Sequence, residues 1–154
     1  MDQSVRNLLN KKMKLGGQEL NVSDVLLLAA ITVLAVWVRT AVRSFVAQDW
    51  TDYWSLWLEE LRAGGFKALA GNFYDYAPPV MYLLYLITLL PINSMTAFKA
   101  FCCMLDFVGA GLIGNIVIDC TGSKKRGMLA YGVFLFLPTV ILNAAVWSQC
   151  DIIY

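Results

Sequence analysis

The chain has 154 residues, 59% of them hydrophobic, and a mean hydropathy of +0.62, where soluble domains are about 45–50% apolar. The excess lies in runs, which points to an integral membrane protein. A net charge of +1 offers no basic field for nucleic acid, and the absence of histidine excludes imidazole metal sites and histidine general bases within the chain.

Residues 1–24 form a polar leader carrying Arg6, Lys11, Lys12 and Lys14, interrupted by Gly16-Gly17. Asn21 or Ser23 is placed to cap the helix that follows. The apolar run Val25–Val38 is 14 residues, too short alone for about 30 Å of hydrocarbon. Extension through Arg39 to Val46 reaches spanning length. A long polar leader and the lack of a cleavage-site pattern near Phe45-Val46-Ala47 predict an uncleaved first span rather than a signal peptide. Arg39 and Arg43 lie one turn apart. They either snorkel to the headgroups or meet a lipid phosphate, which guanidinium binds bidentately.

Gln48–Pro79 is the long polar interval, with five of the eleven acidic residues and eight of the twenty aromatics. Trp50, Trp54, Trp57 and Leu61 recur on one helical face. Three tryptophans there suit a helix lying in the membrane interface, ended by Gly64-Gly65. A short helix over Phe66–Ala70 follows, then Tyr74-Asp75-Tyr76 and Ala77-Pro78-Pro79. Val80–Leu90 has 11 residues, roughly 17 Å of helix, about half a bilayer. The run from Ser94 to Ile118 contains Lys99 and Asp106, Asp119–Gly127 is a basic turn, and Met128–Val146 is a last apolar run holding Pro138 and Asn143. The four cysteines, Cys102, Cys103, Cys120 and Cys150, lack ligand spacing and read as packing thiols.

Lysine and arginine crowd the leader and Lys124–Arg126, as cytoplasmic segments do. Four spans would set these two segments on opposite sides of the membrane. Three spans, with Val80–Leu90 as a partial helix in an outer loop over 47–93, set both on the cytoplasmic side. The predicted fold class is therefore all-α integral membrane: about three transmembrane helices plus interfacial or partial helices in the first outer loop, with a cytoplasmic N-terminus. This topology gathers Asp49, Asp52, Asp75 and Asp151 on one face.

On spacing alone, Asp49 and Asp52 are helix caps as readily as a general base or divalent-metal ligands. Tyr74 and Tyr76 fit an interfacial belt. Lys99 and Asp106, seven apart, are roughly 10 Å apart along a helix axis and cannot pair directly. They read as partners of other helices or, less simply, as a transporter relay. Walker, Rossmann, zinc and Ser-His-Asp patterns are absent, so no nucleotide cofactor is expected.

The ordered set Arg39, Asp49-Trp50-Thr51-Asp52-Tyr53, Tyr74-Asp75-Tyr76-Ala77-Pro78-Pro79 and Asn143 to Asp151 resembles the N-terminal part of GT-C membrane glycosyltransferases. Bacterial mannosyltransferase-like members and the protein mannosyltransferase and aminoarabinose transferase relatives are the most similar. WSQCDIIY is similar to the family pattern WGQ-D-S-I-Y, with Ser148 for glycine and Ile152 for serine. The resemblance covers residues 25–154. It implies transfer of a hexose, mannose-like, from a polyprenyl-phosphate carrier to an acceptor on the outer face of a bacterial plasma membrane, with inversion. It implies Asp49, or Asp52, as catalytic base. Arg39, Tyr53, Tyr74, Tyr76, Gln149 and Asp151 are implied as substrate-binding residues, and Asp49 and Asp151 as ligands to Mg or Mn. Family members have many more spans, so residues 1–154 are expected to be the N-terminal portion of such an enzyme, inactive alone. The competing expectation is a non-catalytic multispan membrane protein or assembly subunit whose acids are caps and whose tyrosines are belts.

Overall fold

The computed structural model describes residues 2–15, 18–72, 74–149 and 151. Two compact units divide the chain, Met1–Val38 and Arg39–Tyr154. In the first, helix α1 (Gln3–Leu9) precedes a hairpin of β1 (Lys12–Leu15) and β2 (Gln18–Asn21), antiparallel with Lys12 opposite Asn21 and Leu15 opposite Gln18. The polar leader thus carries local structure that its sequence did not suggest. The Gly16-Gly17 break falls outside the described residues. Helix α2 (Val22–Val42) starts three residues before the expected Val25. The reason is capping: the Asn21 N–H donates to the Asp24 carboxylate at 3.2 Å, the reach-back half of a capping box. Its exposed residues include Leu26, Leu27, Val33, Leu34 and Trp37, as suits a surface facing lipid.

In the second unit a π-helical turn (Trp50–Trp54) runs into α3 (Ser55–Gly64), a 3₁₀ turn (Gly65–Ala70), α4 (Pro78–Thr88) and α5 (Ser94–Thr121). Gly65 takes φ +60° past the end of α3, a conformation glycine adopts without steric cost. The helical face read from Trp54, Trp57 and Leu61 is correct, but its partner is protein. These side chains and Leu58 are buried with Val80, Met81, Leu84 and Ile87 of α4 and Phe98 and Cys102 of α5. The Trp54 and Trp57 indoles are therefore covered by protein, and Trp50 is half-buried beside them. Packing them on α4 and α5 removes more of their apolar area from water than an interface can. The Arg62 guanidinium also donates to the Ser94 hydroxyl at the start of α5.

Helix α6 (Lys124–Leu135) returns along α5 after a tight turn. Gly122 is left-handed at φ +64°, and Ser123 caps α6 through the Arg126 N–H. The two helices approach closely where Gly127 meets α5. A methyl at Gly127 would lie 2.4 Å from Ile118 Cγ1 and 2.7 Å from the Gly114 carbonyl oxygen. Helix α7 (Pro138–Ile141) and a second π-helical turn (Leu142–Trp147) complete the chain, bent by 51° from α6. Pro138 stands at the break, where it cannot continue the α6 hydrogen-bond ladder.

Helices α2 and α5 are long and apolar enough to cross a membrane, and the bent pair beginning at α6 is a third span if counted as one. At 11 residues, α4 falls short of that length. Cys102 is buried, Cys103 half-buried and Cys120 exposed, all as free thiols; Cys150 lies outside the described residues.

Candidate functional site

Within the second unit, three buried groups, Arg39, Lys99 and Asp106, hold the segment from Arg39 to Phe45 against α5. The Arg39 guanidinium donates through Nε and Nη2 to Asp106 Oδ2 at 3.3 and 3.0 Å, and through Nη1 to the Leu135 carbonyl at 3.1 Å. It also lies 5.2 Å from the centroid of the Phe107 ring. Both partners of this ion pair are only 3% exposed. Lys99 Nζ donates to the Arg43 carbonyl at 3.0 Å and to the Phe45 carbonyl, filling acceptors that the end of a helix leaves open. Lys99 and Asp106 therefore do partner other segments and not each other. The guanidinium assigned from sequence to a lipid phosphate is already engaged by a carboxylate and a carbonyl. Arg43, one turn on, is exposed.

The pinned end of α2 leads directly to Asp49. Asp49 precedes the first π-helical turn, but its side chain caps no backbone N–H there. Instead Asp49 Oδ2 accepts from Gln149 Nε2 at 2.9 Å, across 100 residues of sequence. On the other strand of the site, the Gln149 N–H donates to the Asn143 carbonyl at 2.9 Å. Asn143 Nδ2 in turn donates to Asp151 Oδ2 at 2.9 Å. Ser148 makes this bend possible with φ +59° and ψ +45°. It is fully buried, and its hydroxyl finds no hydrogen-bond partner among the described residues. The position where the family pattern has glycine is thus one whose backbone favours glycine.

Gln149 stands where three clefts meet. One, of about 400 Å³, is lined by Phe45, Ala47, Gln48, Asp49 and Trp147 beside it. A second, of about 230 Å³, is lined by Asp49, Tyr53, Trp54, Trp57, Asp75 and Tyr76. A third, of about 270 Å³, has Asp106, Thr139, Asn143 and Asp151 in its wall. The structure so brings together Asp49, Tyr53, Tyr76 and Gln149, and puts Asp151 on the far side of Gln149. Asp52 is exposed, 3.2 Å from the Thr51 hydroxyl, and lines none of the three clefts. Tyr74 donates its hydroxyl to the Leu69 carbonyl at 3.0 Å, holding the 3₁₀ turn.

Asp75, Asn143 and Ser148 stand in the motifs read from sequence without a site role, and the two π-helical turns are not foreseen there. Such turns are rare and concentrate at functional sites. Here one opens on Asp49 and the other ends one residue before Ser148-Gln149. No local pattern announces a π turn, since its hydrogen bonds depend on tertiary packing.

The expected metal ligands, Asp49 and Asp151, each accept an amide N–H and border different clefts. Among the described residues no group of three Asp, Glu, Cys or His side chains is placed to hold an ion. Comparison of the chain with protein-family models, with curated proteins and with solved structures finds no match in any of the three.

Proposed function

We propose that the chain is the donor-and-base module of a GT-C-like membrane glycosyltransferase. It would move a mannose-like hexose from polyprenyl phosphate to an acceptor hydroxyl at the outer face of a bacterial plasma membrane. The observation that carries this reading is the 2.9 Å hydrogen bond from Gln149 to Asp49. It joins the two motifs of the resemblance, D-x-x-D-Y and N-x-x-x-W-x-Q-x-D, each beside its own π-helical turn.

In this reading the acceptor oxygen attacks the anomeric carbon as the bond from that carbon to the phosphate oxygen breaks. The hydroxyl proton passes to the Asp49 carboxylate. Gln149 holds that carboxylate with a neutral amide, which orients it without neutralising it. The cleft of Phe45, Ala47 and Trp147 offers apolar contact for the first prenyl units. The Arg39 guanidinium is held by Asp106 and the Leu135 carbonyl, so the cation for the departing phosphate has to come from another group. A well-placed base contributes about 10²–10⁴-fold. Expressed from its full reading frame in native membranes, the protein should release polyprenyl phosphate from polyprenyl-phosphate mannose. Asp49→Asn should lower that rate at least about 100-fold, and Asp52→Asn should leave it near wild type. Equal rates for wild type and Asp49→Asn would overturn the assignment.

A further inference from the structure

We infer that helix α4 lies on the membrane through the side it turns away from the tryptophans, sinking Tyr82, Leu86 and Leu89 to the boundary between headgroups and acyl chains. These residues recur at spacings of four and three, one helical face, and are 50%, 58% and 62% exposed. The opposite face, Val80, Met81, Leu84 and Ile87, is buried against α3 and α5. No charged residue occurs between Asp75 and Lys99, so α4 is uncharged on every side. Such a helix is enclosed by protein or by lipid, and protein encloses only one side of this one.

Three further features select lipid as the occupant. Charge is segregated across the pair of helices: α3 exposes Glu59 and Glu60, while α4, packed on the other side of the shared core, exposes none. A pair so divided sets its charged layer toward water and its apolar layer on a bilayer, as amphipathic interfacial helices do. The exposed strip continues past α4 through Leu90 and Ile92 toward α5, itself long and apolar enough to cross a membrane. Phe66, also exposed, packs its ring 6.1 Å from Tyr82 and 5.6 Å from Tyr85, and amphipathic rings such as the tyrosines gather at headgroup level. At 11 residues α4 is about half the length of a span, so it rests along the surface rather than crossing. With Trp54 and Trp57 buried, the membrane contact moves to the other side of the α3–α4 pair. This inference goes beyond the proposed transfer and stands without it, because lipid contact requires no turnover.

The test is photocrosslinking of the full chain reconstituted in phosphatidylcholine vesicles, with the photoreactive residue p-benzoylphenylalanine placed singly. Replacing Tyr82, Leu86 or Leu89 probes the inferred face, and replacing Glu59 or Glu60 probes the charged side of α3. Leu112, on the exposed side of α5, sets the reference for acyl contact. All these positions are exposed, so the changes leave the core untouched. Mass spectrometry should find phosphatidylcholine adducts at Tyr82, Leu86 and Leu89 in yields close to that at Leu112. Yields at Glu59 and Glu60 should be at least about 10-fold lower, because only an apolar face enters the acyl boundary. No lipid adduct on α4, yields on α4 no higher than on α3, or crosslinks from α4 to a second copy of the chain in place of lipid would each overturn the inference.

Discussion

Two contacts join distant parts of the second unit, and they differ in what they leave over. Arg39 and Asp106 are 67 residues apart, both buried, and Arg39 also satisfies the Leu135 carbonyl. Asp49 and Gln149 are half-buried and face open clefts, and the carboxylate is held by a neutral amide alone. A buried charge that is fully paired holds structure. A charge held by a neutral donor beside open space retains capacity for chemistry. Ionisable residues in apolar runs invite a functional reading, yet here the helix interior uses its charges for assembly, and the proposed chemistry lies at the ends.

The largest effect should come from breaking the buried pair. Asp106→Ala leaves the Arg39 guanidinium buried without its counter-charge and should cost about 3–5 kcal/mol. Thermal unfolding in detergent should show that loss, and the double change Arg39→Met with Asp106→Leu should recover most of it. Wild-type stability for Asp106→Ala would break the contrast from the structural side. Next in size is Lys99→Met, which strips the Arg43 and Phe45 carbonyls of their donor. Leaving part-buried acceptors without a donor costs up to about 3 kcal/mol. The same change loosens the segment that delivers Asp49, so it should lower turnover as well as stability.

Smaller again is Ser148→Gly, with the opposite sign. It removes a left-handed non-glycine residue and a buried hydroxyl that lacks a partner among the described residues. It should stabilise the protein by about 1 kcal/mol, read as a raised midpoint of thermal unfolding. A lowered midpoint would mean that the Ser148 hydroxyl holds the bend before Gln149 in place.

What the sequence disclosed was governed by local rules. Hydropathy located α2, α5 and the final apolar run, and length marked α4 as too short. Helical periodicity picked the Trp54–Trp57–Leu61 face but could not tell lipid from protein, because both reward an apolar stripe. Spacing made Asp49 a cap, whereas its side chain turns to a residue 100 positions away. The pairing of Arg39 with Asp106 is likewise a tertiary fact. The αL backbone at Ser148 had one trace in the sequence, the glycine that the resembled pattern carries there. Asp49 and Gln149 were legible through that resemblance, whereas Asp75 looked like part of a tyrosine belt until the cleft gave it company.

The central contrast is tested most directly by measuring thermal stability and turnover of polyprenyl-phosphate mannose together in Asp49→Asn. The expected result is a stability within about 0.5 kcal/mol of wild type, as for other half-exposed sites, with turnover reduced at least about 100-fold. A protein that loses its stability with this change, or one that keeps its rate, would contradict it.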